Sequence, residues 1–136
     1  METLLQDTDK IITVSTVTVE PVAGRPALKM TWEHTVMEAD VAPAFRQIMK
    51  TLDATNRPVY VIVDLRSNPR FPMMVTVQEA LPCYRDPMLK EWLVIGSNWM
   101  AKAIEGTLSR ITRHKNVRWF NTEDEALAYL DSVLAA

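Results

Sequence analysis

Arg57-Pro58-Val59-Tyr60-Val61-Ile62-Val63-Asp64-Leu65-Arg66-Ser67 is a run of β-branched and aromatic residues that ends in an acid and a hydroxyl. An apolar run this unbroken, with Pro58 before it and Ser67-Asn68-Pro69 after it, predicts a strand buried on both faces. Such a strand belongs inside a sheet with helices on both sides, so the flanking segments are expected to supply the helices.

Immediately upstream, Val41, Phe45, Ile48 and Leu52 recur at helical spacing. Asp40 is expected to cap that helix, Pro43 to sit in its first turn, and Arg57-Pro58 to end it near Asn56. Before it, Leu28, Met30, Trp32 and His34 alternate with polar residues as a half-buried strand. Ile11 to Glu20 is dense in Ile, Val and Thr, with a phase change near Ser15-Thr16 that predicts a bulge. Pro21 to Pro26 turns these two strands into an antiparallel hairpin.

Downstream, Ser67 to Pro72 reads as a stiff loop. Thr76-Val77-Gln78-Glu79 has capping-box form and opens a short helix that Pro82 should disturb. Trp92-Leu93-Val94-Ile95 is a second buried strand. Gly96-Ser97-Asn98 turns it into a helix with Met100, Ala103, Ile104, Leu108 and Ile111 along one side. Val117 to Phe120 is a short last strand, and Thr122-Glu123-Asp124-Glu125 is a second capping box. From it Leu127, Leu130, Val133 and Leu134 carry the final helix inward. The order β-β-α-β-α-β-α-β-α implies one α/β domain over residues 10–136 after a short lead-in, residues 1–9. Its mixed sheet would be parallel after the opening hairpin and flanked by about four helices.

The chain has 136 residues, 48% of them hydrophobic and 24% charged, enough to bury a core without metal or disulfide. Its net charge of −2 argues against a nucleic-acid binder. Cys83, the single cysteine, fits a reducing compartment. No stretch approaches the roughly 20 apolar residues of a membrane span. Met1 to Asp7 lacks the features of a secretory signal, so a cytoplasmic location is expected.

This order of segments resembles the STAS domain, and within it the SpoIIAA-like branch of small bacterial proteins. The resemblance rests on Val59-Tyr60-Val61-Ile62-Val63-Asp64, on Trp92-Leu93-Val94-Ile95-Gly96, and on Val117-Arg118-Trp119-Phe120 with Glu123-Asp124-Glu125-Ala126-Leu127-Ala128-Tyr129-Leu130. It implies a mixed-sheet fold and a non-enzymatic, regulatory, protein-binding role like that of anti-sigma-factor antagonists. Those antagonists carry a phosphorylatable serine in an Asp-Ser-Ser/Thr-Gly motif. Here the region reads Asp64-Leu65-Arg66-Ser67-Asn68-Pro69, with no adjacent hydroxyl pair and no glycine, so Ser67 is only the nearest hydroxyl.

Asp64, Ser67, Ser97 and Asn98 all fall past the carboxyl ends of buried strands, where open α/β sheets bind ligands. Ser97 and Asn98 are placed either to present a helix N-terminus to an anion or simply to cap the helix, and capping is the preferred reading. Phe71-Pro72-Met73-Met74-Val75 is an apolar loop. It is a partner surface, the lip of a pocket, or a cover for the sheet edge. Asp64, Ser67, Asn68, Phe71, Met73, Met74, Ser97 and Asn98 together form the expected partner or ligand surface.

Arg110, Arg113, His114, Lys115 and Arg118 read as a helix end dressed with cations rather than a docking patch. His34 and the tryptophans at 32, 92, 99 and 119 read as core or interface. Cys83 reads as a packed thiol. No nucleophile, base and orienting group can be named together, and two His with one Cys do not suggest a metal site, so no catalytic residue, metal or cofactor is expected. Two functions follow: a protein-binding regulatory module, or a binding or sensor domain for a small apolar or anionic ligand held between the Phe71–Val75 loop and Ser97-Asn98. A homodimer through the hairpin edge, with Met30 and Trp32 in its face, is also compatible with the pattern.

Overall fold

The computed structural model describes residues 15–136. Five strands and four helices alternate after an opening hairpin: β1 (Val17–Pro21), β2 (Ala27–Trp32), α1 (Glu38–Ala54), β3 (Val59–Asp64), α2 (Met73–Arg85), β4 (Leu89–Ile95), α3 (Trp99–Thr112), β5 (Val117–Phe120) and α4 (Glu123–Ala135). The strands lie in the sheet in chain order, β1-β2-β3-β4-β5. β1 and β2 are antiparallel and the remaining pairs are parallel. The expected mixed α/β sheet is therefore the observed one.

All six residues of β3 are buried, as its composition requires for a strand covered on both sides. Alternation splits the sheet between two cores. Leu28, Met30, Trp32, Val61, Val63, Trp92 and Val94 face one way and pack under α1, α2 and α3. Tyr60, Ile62, Leu93 and Ile95 face the other way, against Ala126 and Leu130 of α4. Right-handed crossovers between neighbouring parallel strands put α1, α2 and α3 on one face, and only α4, which follows the last strand, covers the other.

Several local expectations are corrected. Asp40 does not cap α1. That helix begins at Glu38 after Met37, and the Asp40 carboxylate instead accepts from the Thr16 N–H at 2.8 Å and the Thr16 hydroxyl at 2.6 Å. This bond ties α1 to β1 and keeps the Asp40 carboxyl below its usual range. Pro43 lies in the second turn of α1. Thr76 does not open α2. The helix already starts at Met73, so Met73, Met74 and Val75 are helical, and the Thr76 hydroxyl donates back to the Pro72 carbonyl at 2.6 Å. Pro82 is accommodated inside α2, which runs on to Arg85.

The capping reading at the other two helices fits the geometry. Asn98 accepts from the Ala101 N–H, and Thr122 accepts from the Glu125 N–H while Glu125 accepts in turn from Asn121. His34 is exposed beyond the end of β2 rather than on its apolar face. Trp99 is 75% exposed and Leu134 and Ile111 are also open to solvent, so none of the three is core. Met30 and Trp32 are buried beneath the helices and cannot form a dimer face. The bulge expected near Ser15 rests on residues 11–14, which lie outside the described residues.

Candidate functional site

At the carboxyl end of the parallel strands, Asp64 is the buried acid. Its parity on β3 places it on the α4 side of the sheet with Tyr60 and Ile62. The Arg66 side chain doubles back on it, with Nε donating to Oδ1 at 3.0 Å and Nη2 to Oδ2 at 2.7 Å, and the Arg66 N–H donates to Oδ1 as well. Lys29 stands 3.9 Å away and itself pairs with Glu123 at the start of α4. The Arg66 bonds hold the Asp64 carboxyl below its usual range, against the burial that would raise it. Asp64 is thus neutralised by its own loop, and the cluster joins β2, β3 and α4.

Ser67 is exposed, but its hydroxyl donates to the Trp32 carbonyl at 2.6 Å, and its own carbonyl lies 3.1 Å from His34 Nδ1. Asn68 adopts a left-handed φ of 53° and accepts from Asn98 Nδ2 at 2.9 Å. Asn98, 3% exposed, also donates to the Pro69 carbonyl at 3.0 Å. Both of its amide donors are engaged within the fold. It locks the β3–α2 loop to the start of α3, leaving the side chain no donor for an anion. Ser97 is exposed on the turn.

The eight expected surface residues therefore divide. Asp64 and its partners serve the α4 side. Ser67, Asn68 and Asn98 bind the loops to one another. Phe71 is buried on the opposite, α1–α3 side, in a tilted ring contact with Trp32 at 5.1 Å. Met74 is 77% exposed in the first turn of α2, beside the half-buried Met73.

Phe71 also walls a cavity of about 90 Å³ between the sheet and helices α2 and α3. The strands contribute Trp32, Val63, Trp92 and Trp119 among others. The helices contribute Ala80 and Tyr84 from α2 and Ala101, Ile104 and Leu108 from α3. Thr76 and Glu105 are the polar side chains besides Tyr84 and the indoles on this wall. Tyr84 spends its hydroxyl on the His114 carbonyl at 3.2 Å, and burial together with nearby Glu105 raises its pKa. The indole N–H groups of Trp32 and Trp92 are buried with no acceptor among the described residues. An unmade bond of this kind costs about 1–3 kcal/mol.

The period of the sequence marks Trp32 and Trp92 as inward-facing, but it does not show that they share a cavity. The available signal was three tryptophans at the same parity on β2, β4 and β5, opposite alanines at 80 and 101 on the covering helices. The cavity is distinct from the expected ligand position between the Phe71–Val75 segment and Ser97-Asn98. Of that set only Phe71 reaches the cavity, which runs under α2 and α3 rather than over the loops.

Met37, Met74 and Trp99, at 59%, 77% and 75% exposure, stand at the beginnings of α1, α2 and α3. These helix starts follow β2, β3 and β4 in turn, so all three side chains belong to the same end of the sheet. In the basic segment, Arg113 takes a left-handed φ of 60° to end α3, and Arg118, on β5, pairs with Glu91 of β4 at 2.7 Å. Cys83 is fully buried and its thiol is pushed up to about 12 by that burial. Among the described residues no three His, Cys, Asp or Glu are grouped to hold a metal, and no helix is long and apolar enough to cross a membrane.

No family model and no curated protein matches the sequence. Among solved structures, the chain is similar to an uncharacterised DUF3478-family protein with a SpoIIAA-like fold from Shewanella loihica PV-4. The likeness has a TM-score of 0.59 at 13% identity and covers 84% of this chain and 91% of that one. At that identity the likeness concerns the fold alone.

Proposed function

Starting from a SpoIIAA-like fold, we propose that this protein is a non-catalytic binding domain that takes a small apolar ligand into the cavity between the sheet and helices α2 and α3. The observation that carries this reading is the cavity itself: about 90 Å³ of unfilled space in an otherwise close-packed, aromatic-walled layer. An apolar cavity of about 150 Å³ stays dry and accepts benzene, so a one-ring hydrocarbon would enter this smaller one only as its lining side chains part. A cytoplasmic setting goes with this reading, since the lone buried thiol needs no oxidising compartment.

The test is thermal unfolding with increasing toluene, comparing the wild type with Ala101→Leu, which fills the space from α3 with a good helix former. The expected result is a melting temperature that climbs with ligand in the wild type, as preferential binding to the native state requires, and stays flat in the variant. A response of equal size in a folded variant, or none in either protein, would remove the proposal.

A second reading, a protein partner as in anti-sigma-factor antagonists, is favoured by the exposed Met37, Met74 and Trp99 at one end of the sheet. Modification of Ser67 belongs to this reading. A phosphate there would break the bond to the Trp32 carbonyl. Capture of the same cellular protein by wild type and by a Met74→Ser/Trp99→Ser variant would count against this surface.

A further inference from the structure

We propose that the open edge of β5 docks an extended segment of another protein, acidic at its carboxyl end, which adds to the sheet as a further strand. This surface needs neither the cavity nor the exposed Met74 and Trp99, so the proposal stands apart from both readings above. β1 and β5 are the outermost strands of the sheet among the described residues, and the chain treats the two edges differently.

On β1, the Thr16 carbonyl accepts from the Glu33 N–H, so by alternation Val17, Val19 and Pro21 turn their main-chain groups outward. Most of those groups are occupied. The Ser15 hydroxyl donates to the Val17 carbonyl at 2.7 Å and accepts from the Val17 N–H at 3.3 Å. Gln47 donates to the Val19 carbonyl at 3.1 Å, and Pro21 has no N–H. Side chains and a proline thus blunt this edge, a common protection against unwanted pairing.

β5 has no such cover. Trp92 stands opposite Val117 and donates to the Asn116 carbonyl, and Gly96 donates to the Phe120 carbonyl. In a parallel ladder this turns Asn116, Arg118 and Phe120 toward β4 and leaves Val117 and Trp119 facing out. Each of those two presents an N–H and a C=O, and no hydrogen bond among the described residues reaches them. An exposed row of this kind is a template for strand addition, in which main-chain bonds supply affinity and flanking side chains supply specificity.

Charge selects the guest. α3 runs into β5 through Arg113, His114 and Lys115, which with Arg110 are exposed at the amino end of the strand. Arg110, Arg113 and Lys115 enter no ion pair among the described residues. Glu91, the acid on the neighbouring strand, is committed to Arg118 and Tyr129. Lys102 adds a further cation 5.3 Å over the Trp119 ring. The other end of β5 leads instead to Glu123, Asp124 and Glu125 at the start of α4. A matching strand therefore carries acids beside Lys115 and neutral residues beyond. Antiparallel addition, the stronger pairing per residue, puts those acids at the carboxyl end of the segment.

The probe is the peptide Val-Thr-Val-Thr-Asp-Asp-Asp with fluorescein at its amino end, titrated with the full chain at low salt and followed by anisotropy. Three comparisons accompany it: the peptide with a Lys-Lys-Lys tail, the acidic peptide N-methylated throughout its Val-Thr stretch, and the Arg110→Glu/Lys115→Glu protein. Each is expected to bind at least about tenfold more weakly than the acidic peptide binds the wild type. Added salt should weaken the wild-type complex. Amide hydrogen exchange should slow at Val117 and Trp119 when the acidic peptide is present, while Arg118 and Phe120 are protected with or without it.

No binding of the acidic peptide, equal binding of the basic or the methylated one, or unchanged exchange at Val117 and Trp119 overturns the proposal. Methylation alters the peptide and not the protein, so that comparison decides even where the double variant does not fold. Slow exchange at Val117 and Trp119 without peptide, deepening as protein concentration rises, also overturns it, because the edge would then belong to a second copy of the chain.

Discussion

Asp64 and Arg66, two residues apart, close a bidentate ion pair on the β3–α2 loop, with contacts of 3.0 and 2.7 Å between the guanidinium and the two carboxylate oxygens. The carboxylate at the carboxyl end of the central strand is thereby committed to the chain's own cation. Asp64→Asn should lower stability at neutral pH by about 1 kcal/mol, the low end for a charge-assisted bond because Arg66 is half in solvent. The Asp64 carboxyl titrates below its unfolded value, so its contribution is present above about pH 4 and is lost as pH falls through the lower folded value. Urea unfolding of the two proteins should differ at pH 7 and converge as the pH falls through the folded value. A gap that persists at low pH would mean that the pair is not its source.

Asn98 acts as a three-way clamp on Ala101, Asn68 and Pro69. Asn98→Ala should cost about 2–3 kcal/mol, a lost helix cap plus unsatisfied buried groups. Asn98→Asp keeps the acceptor for Ala101 and loses both donors, so it should recover only part of that loss. Full recovery in urea unfolding would show that the contacts to the loop contribute nothing.

Gly96 has a φ of +101°, and a Cβ there would come within 3.2 Å of the Leu65 carbonyl carbon and oxygen. Gly96→Ala is therefore expected to destabilise by about 2 kcal/mol through backbone strain and a clash with main chain that cannot rotate away. Gly24→Ala pays strain without a clash, since nothing lies within 4 Å of its Cβ position. It should be the milder of the two when both are followed by thermal unfolding.

Cys83, with its thiol near 12, should resist a thiol reagent at pH 8 in the native protein and react at once in denaturant. An acid whose folded pKa is raised favours the native state below its unfolded value, and that advantage falls as pH climbs past about 8.5. Stability should decline from there, and Cys83→Ala should flatten the decline. Rapid labelling of native protein would contradict the burial.

How far the chain could be read in advance follows from what each pattern encodes. β3 and β4 were legible because burial on both faces leaves an unbroken apolar run, and α4 because Thr122 and Glu125 sit where a cap requires them. The start of α2 was not, because Thr76-x-x-Glu79 carries the letters of a capping box while the Thr76 hydroxyl bonds backward to Pro72 inside a helix already begun at Met73. Trp99 misled because its apolar neighbours suggested a core, whereas the cap at Asn98 turns the first helical residue outward. The acids and amides of the expected surface were placed at the right end of the sheet. Their distribution over its two sides depends on strand parity past the last paired residue, which spacing alone does not settle. The cavity was invisible for a related reason: a periodic pattern tells which way Trp32 and Trp92 face, but not whether the alanines across from them fill the space.

The strand order β1-β2-β3-β4-β5 follows the order of synthesis. Each new strand lies beside the one made just before it, and no segment has to wait for a distant one to complete its pairing. During translation the growing sheet presents one advancing edge, which the next βα unit covers in turn, until the short β5 closes the series and α4 folds over the face left bare. Assembly that depends only on neighbours limits how long apolar strand edges stand open to other chains.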